Sequence, residues 1–195
     1  MPKRSSEHLA ARREHIATAA EEVLVDNGVA GFSTTAVCRR AGVSMGNLYA
    51  YFPSKEDLLD ALVTRAFQAR QQWLDADSLA ELRARLSDLI AFLQTPDGYR
   101  SARLDVELGL IARTHRRPAD TLASSTLHGA VKSTLARLAG PHTDPDNTSI
   151  AADALTALVA GWSYLVSLGQ GVPDHAIESV DQFLALLEAP DPSKD

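Results

Sequence analysis

The chain has 195 residues, 45% of them hydrophobic, a single cysteine and a formal net charge of −6. That is enough apolar material for a sizeable core in one or two domains. One cysteine excludes an intrachain disulfide and suits a reducing cytoplasm.

The charge is unevenly divided, with net +2 over residues 1–55 and −8 over the remaining 140. A mildly basic head on an acidic body fits a protein that meets phosphates at one end only. The start, MPKRSSEHLA, has basic residues with no apolar stretch behind them, so it is not read as a signal peptide. No apolar run approaches the roughly 20 residues of a membrane helix, and no membrane partner is expected. Period-two alternation is absent and apolar residues recur at three and four, which predicts an all-α fold of about nine helices.

The first helix is predicted over Ser6 to Asn27, with Leu9, Ile16, Ala20, Val23 and Leu24 on its inner face. Gly28 ends it, because glycine accepts the left-handed conformation. Ser33 caps a short helix ending near Arg40, and Gly42 makes the turn. Cys38 is read as a small buried filler of that helix, with a redox-sensing thiol as the lesser alternative. Ser44 caps the next helix, which runs to Tyr51, and Pro53 breaks the chain. Ser54 and Asp57 have capping-box spacing and open a long helix towards Trp73. Ser78 caps Leu79 to Gln94, and Thr95-Pro96 stops it. Tyr99 to Thr114 follows, then Pro118 to Leu138, closed by Gly140-Pro141. Residues 141–147 read as a polar loop. Thr148 to Leu168 and Asp174 to Glu188 are the last two helices, joined by a tight turn at 169–173. The tail 191–195 is predicted to be disordered. Three regions result: a helix-turn-helix head over 1–55, a helical body over 56–190 and the tail.

Two short helices joined at a glycine form a helix-turn-helix, whose second helix can enter the DNA major groove. Leu48 and Phe52 are four apart and anchor that helix, while Gly46 and Ala50 share the opposite face. Minimal side chains there let the backbone approach DNA closely, with Met45 beside them. Asn47 can bond adenine in a bidentate way, and the Tyr49 hydroxyl can reach a phosphate or a base. Ser44 can cap the helix and also touch phosphate. Ser33, Thr34, Thr35, Arg39 and Arg40 on the supporting helix are further phosphate donors. Lys55 stands at the positive end of the next helix. Each residue alone reads equally well as solvated surface or packing; the set at this spacing does not.

The segment resembles the N-terminal domain of TetR-family transcriptional regulators. The resemblance is carried by Ala41-Gly42-Val43-Ser44 and by Gly46-x-Leu48-Tyr49-x-Tyr51-Phe52-Pro53-Ser54-Lys55-Glu56-Asp57-Leu58-Leu59, within residues 10–62. It implies a homodimeric DNA-binding regulator, most often a repressor, released from a palindromic operator by a small ligand. In the family the positions of Ser33, Ser44, Asn47, Tyr49 and Lys55 commonly touch DNA. The chain departs from the pattern at Met45, often lysine, at Asn47, often threonine or alanine, and at Ala50, often histidine. Cys38 and Ala36 replace a usual alanine and a usual acid. These departures leave the operator sequence open.

In the body, Ile150, Leu155, Leu158, Val159, Trp162, Leu165 and Val166 crowd one helix, and Ile177, Val180, Phe183, Leu184 and Leu187 one side of the next. Such stripes need a partner. The resemblance implies a four-helix bundle made by Thr148–Leu168 and Asp174–Glu188 from each of two subunits. By the same analogy the middle helices hold an effector pocket. Its candidates are Leu89, Phe92, Leu104, Leu108, Ile111 and Trp162, with Arg103, Glu107 and His128 as polar groups that can orient a ligand.

No enzyme, metal site or cofactor is expected. The six histidines are scattered with no pair at i, i+4, and there is no glycine-rich phosphate loop or nucleophile elbow. The alternatives are an activator of the same fold, or a helical protein-interaction module that does not bind DNA.

Overall fold

The computed structural model describes residues 6–114, 127–140 and 143–188. Among them are nine helices and no strand: α1 (Ser6–Gly31), α2 (Thr34–Ala41), α3 (Met45–Tyr51), α4 (Lys55–Leu74), α5 (Leu79–Leu93), α6 (Pro96–Thr114), α7 (Leu127–Leu138), α8 (Pro145–Ser167) and α9 (Ala176–Glu188). The all-α expectation holds. The beginning of the helix expected at Pro118 and the whole tail lie outside the described residues.

Two compact units divide the chain. The first takes the chain up to Ala66 and resumes with α6 from Leu104. Its core is Ile16, Ala20, Val23 and Leu24 of α1, Phe32, Val37 of α2, Leu48 of α3, Phe52, then Leu58 and Leu62 of α4, with Leu108 and Ile111 of α6. This unit includes the first turns of α4 beyond residue 55. Leu58 and Leu62 are fully buried in its core, so the first turns of α4 fold with it.

α1 is broken at Gly28, whose φ of 66° and ψ of 177° are not helical. The expected stop is present, and a last turn follows it to Gly31. The amide of Val29, freed by the break, donates to Glu107 Oε2 at 2.8 Å. His15 Nε2 lies 2.9 Å from the Ala41 carbonyl and ties α1 to the end of α2.

The second unit takes Phe67–Arg103 and the helices after α6. Leu82, Leu86 and Leu93 of α5, Val131 and Leu135 of α7, Ala151, Leu155, Val159 and Trp162 of α8, and Val180 and Leu184 of α9 make its core. Arg83 and Asp181 join α5 to α9, with one bond of 2.8 Å. The guanidinium holds the Asp181 carboxyl below the usual carboxylate range. α8 is 23 residues long and reaches a mean hydropathy of 1.4, enough by length and composition to cross a membrane. The expectation that nothing in the chain reaches that measure is therefore corrected. Every third or fourth residue of α8 is packed into this core, so one side of the helix is buried.

Three helix starts differ from the predicted ones, two of them for a local reason. α6 begins at Pro96, not Tyr99: the Thr95 hydroxyl accepts from Gly98 N at 3.0 Å, and proline suits a first turn. α8 begins at Pro145, not Thr148, because Asp144 accepts from Asp146 N at 2.8 Å. α9 begins at Ala176, two residues beyond Asp174.

Candidate nucleic-acid interface

The helix-turn-helix is held by its two serine caps. Ser33 Oγ accepts from Ala36 N and Ser44 Oγ from Asn47 N, each at 3.2 Å. Gly42 makes the turn at φ 61° and ψ 39°, a conformation that glycine adopts without strain. Leu48 and Phe52 are fully buried and fix one side of α3. The other side is open. Tyr49 is 42% and Met45 37% exposed, Ala50 is exposed, and a Cβ built on Gly46 would meet no atom within 4 Å. No contact among the described residues fills the space at Gly46, which leaves the backbone of α3 open to approach there.

Asn47 is half-buried. Its amide oxygen is shut off from solvent and has no hydrogen-bond partner among the described residues. To present adenine with an acceptor and a donor together, the amide must turn outward.

Ser33 and Thr35 are exposed and Thr34 half-buried at the start of α2. Arg40 is engaged, its two terminal nitrogens donating to Glu22 Oε2 at 3.0 Å and Asp26 Oδ2 at 2.7 Å on α1. These bonds, that to Asp26 first, hold the guanidinium more firmly protonated than usual. Arg39, one residue earlier, is exposed and has no ion pair among the described residues. Lys55 Nζ donates to the Phe32 carbonyl at 3.1 Å and lies 5.4 Å from the Phe32 ring centroid. Sequence reasoning gave Arg13 no role, yet its guanidinium stacks 4.6 Å from the ring centroid of Phe52. That pair is 39 positions apart, beyond any local pattern. Cys38 is buried, which pushes its thiol pKa up; its Sγ meets Met45 Sδ at 3.9 Å.

The effector candidates are distributed between the units. Leu104, Glu107, Leu108 and Ile111 belong to the first, where Leu108 and Ile111 are core and Glu107 holds the Val29 amide. Leu89, Phe92, Arg103, His128 and Trp162 belong to the second. Phe92 tilts against Trp73 with centroids 6.0 Å apart, Arg103 lies 6.0 Å from the Tyr99 ring, and Trp162 is core. His128 Nε2 is 2.8 Å from Asp153. A cavity of about 610 Å³ in the second unit has other walls: Gln68, Gln72, Leu74, Asp75, Ala130, Ser133, Thr134 and Arg137.

A capped helix-turn-helix with an open outer face defines a DNA-binding domain. Residues 16–62 match the model of the bacterial regulatory proteins of the TetR family. The head is similar to that family, and the chain has the fold of its transcriptional regulators. Among similar solved structures is the multidrug binding protein EbrR complexed with ethidium, 28% identical, covering 88% of this chain and 97% of that one, with a TM-score of 0.62. A TetR-family member from Streptomyces coelicolor is 25% identical, with 88% and 97% covered and a TM-score of 0.67. The SmeT–triclosan complex, 22% identical with a TM-score of 0.64, shares the fold over 95% of this chain and 98% of that one.

Proposed function

We propose that the chain is a homodimeric transcriptional repressor that binds a palindromic operator in the cytoplasm and is released by a small molecule. The open face of α3 carries this reading. In it Gly46 and Ala50 let the groove close on the helix backbone, Tyr49 supplies the main contact, and Ser33, Ser44, Thr35 and Lys55 position the phosphates. Asn47 turns out to read a base.

The dimer is supported by α8. Ile150, Tyr164 and Leu168 are 52%, 55% and 57% exposed. With Ala157 and Ala160, also exposed, they form an apolar surface that a second copy would cover. A Cβ on Gly161 would meet nothing within 4 Å, so a neighbouring helix could approach closely there. The effector is proposed by analogy with relatives of this fold seen with ethidium and with triclosan. The nine candidates from Leu89 to Trp162 remain its proposed contacts. No enzymatic activity is proposed.

The decisive experiment pairs fluorescence anisotropy on promoter DNA with sedimentation. Tyr49→Ala is expected to abolish specific binding while the dimer and its melting temperature stay unchanged. Unaltered affinity in that variant, or a monomer at micromolar concentration, would overturn the reading.

A further inference from the structure

Two polar rows border the cavity of about 610 Å³ in the second unit. Gln68 and Gln72 are one turn apart on α4, and Ser133 and Arg137 one turn apart on α7. Leu74 and Ala130 are its apolar lining. The volume is within the range that takes a small-molecule ligand.

Four of the bordering groups are left without a protein partner among the described residues. Gln68, Gln72, Ser133 and Thr134 make no side-chain hydrogen bond among the described residues. Thr134 is the most telling, being the one polar residue among those described that is buried, at 8% exposed. A buried hydroxyl ordinarily finds a partner within the protein. This one has none among the described residues, and its oxygen is not one of the atoms sealed from solvent.

The charge at the cavity is already balanced. Arg137 donates to the Ala76 carbonyl at 2.8 Å and to Asp75 at 3.3 Å, with Asp77 at 3.7 Å. Among the described residues no unpaired cation lines the cavity to neutralise an anionic ligand, and burying an unpaired ion is costly. What remains is two amides and two hydroxyls, each able to donate and to accept.

We propose that this cavity binds a neutral polyhydroxylated molecule, a sugar or polyol. Its hydroxyls exchange hydrogen bonds with Gln68, Gln72, Ser133 and Thr134, and its less polar face rests on Leu74 and Ala130. Binding itself needs nothing from the regulatory reading; only the identification of this ligand as the effector rests on it.

The test is calorimetric titration of the full chain with glucose, maltose, trehalose and mannitol, with glucuronate and ethidium alongside. At least one neutral compound is expected to bind saturably and more tightly than glucuronate. Gln72→Leu and Thr134→Val should each weaken it about three- to tenfold, the loss of one neutral hydrogen bond. Gln72 is exposed, so that variant keeps the test sound if Thr134→Val folds poorly. No binding by any of the four, tighter binding of glucuronate or ethidium at this cavity, or full affinity in Gln72→Leu overturns the proposal. Operator affinity is measured separately with the bound sugar present. If it does not change, the effector reading fails and the site stands.

Discussion

Asn47 and Tyr49 lie two positions apart on α3 and face different surroundings, which separates their expected effects. Tyr49 is exposed, so its loss should register in DNA binding far more than in stability. Asn47 hides an unpaired oxygen, a state that costs about 1–3 kcal/mol. Asn47→Ala should therefore leave the free protein at least as stable in urea denaturation, while changing which operator bases are preferred. Equal weakening on every DNA sequence would reduce Asn47 to a backbone contact. Glu21 offers a pH readout. Burial raises its pKa above the ordinary carboxylate value, with Arg65 opposing by attraction and Glu14 reinforcing by repulsion. A folded-state pKa above the unfolded one means the ionised group weighs against folding at neutral pH. That burden is relieved as pH falls through the raised value towards the ordinary one. Melting of the wild type and Glu21→Gln at neutral and mildly acidic pH checks this: the wild type should gain on the variant on acidification, and a widening deficit would refute it.

At the scale of the element, the sequence was most informative where a side chain does one local thing. The caps Ser33, Ser44 and Ser78 each accept a backbone amide, at 3.1–3.2 Å, and Ser54 with Asp57 closes its box from both sides. These bonds span three residues, so spacing alone revealed them. Pro96 was misread because proline both stops one helix and starts the next, and only Thr95 and Gly98 tell which. Gly98 is also a packing residue: a Cβ there would lie 2.0 Å from the Phe92 carbonyl and 2.6 Å from Leu93 Cα. Backbone cannot yield as a side-chain tip can, so Gly98→Ala should cost about 3 kcal/mol or more, despite alanine's better helix propensity. Urea unfolding of the variant measures it, and a neutral or stabilising result would mean the α5–α6 corner relaxes freely.

Across the molecule, legibility falls with distance along the chain. The helix-turn-helix is local and was readable from its residues, as was the buried pair Leu48 and Phe52. Contacts such as Glu107 with Val29, 78 positions apart, or Arg13 with Phe52 have no trace in periodicity. Arg103, Glu107 and His128 are candidates as polar groups among apolar neighbours, a pattern that equally describes a carboxylate holding a helix break and a histidine paired with Asp153. The polar cavity has no local signature in the sequence because its walls come from α4 and α7, about sixty residues apart.

The ion pairs of Arg40 bear on how the head responds to its ionic surroundings. A cation already facing Glu22 and Asp26 must leave those acids before it can neutralise a phosphate, so it releases few of the counterions condensed on DNA. Thermodynamically, the head therefore displays fewer free cations than it has basic residues. Arg39→Gln should flatten the slope of log K against log salt by about 0.9 for each phosphate that the arginine neutralises, whereas Arg40→Gln should barely move it. Glu22→Gln with Asp26→Asn should steepen it by freeing Arg40. Titrations of operator DNA across a salt series measure these slopes, and a strong flattening in Arg40→Gln would show that phosphate displaces both acids. The two acids on α1 would then set the salt concentration at which the head lets go of DNA.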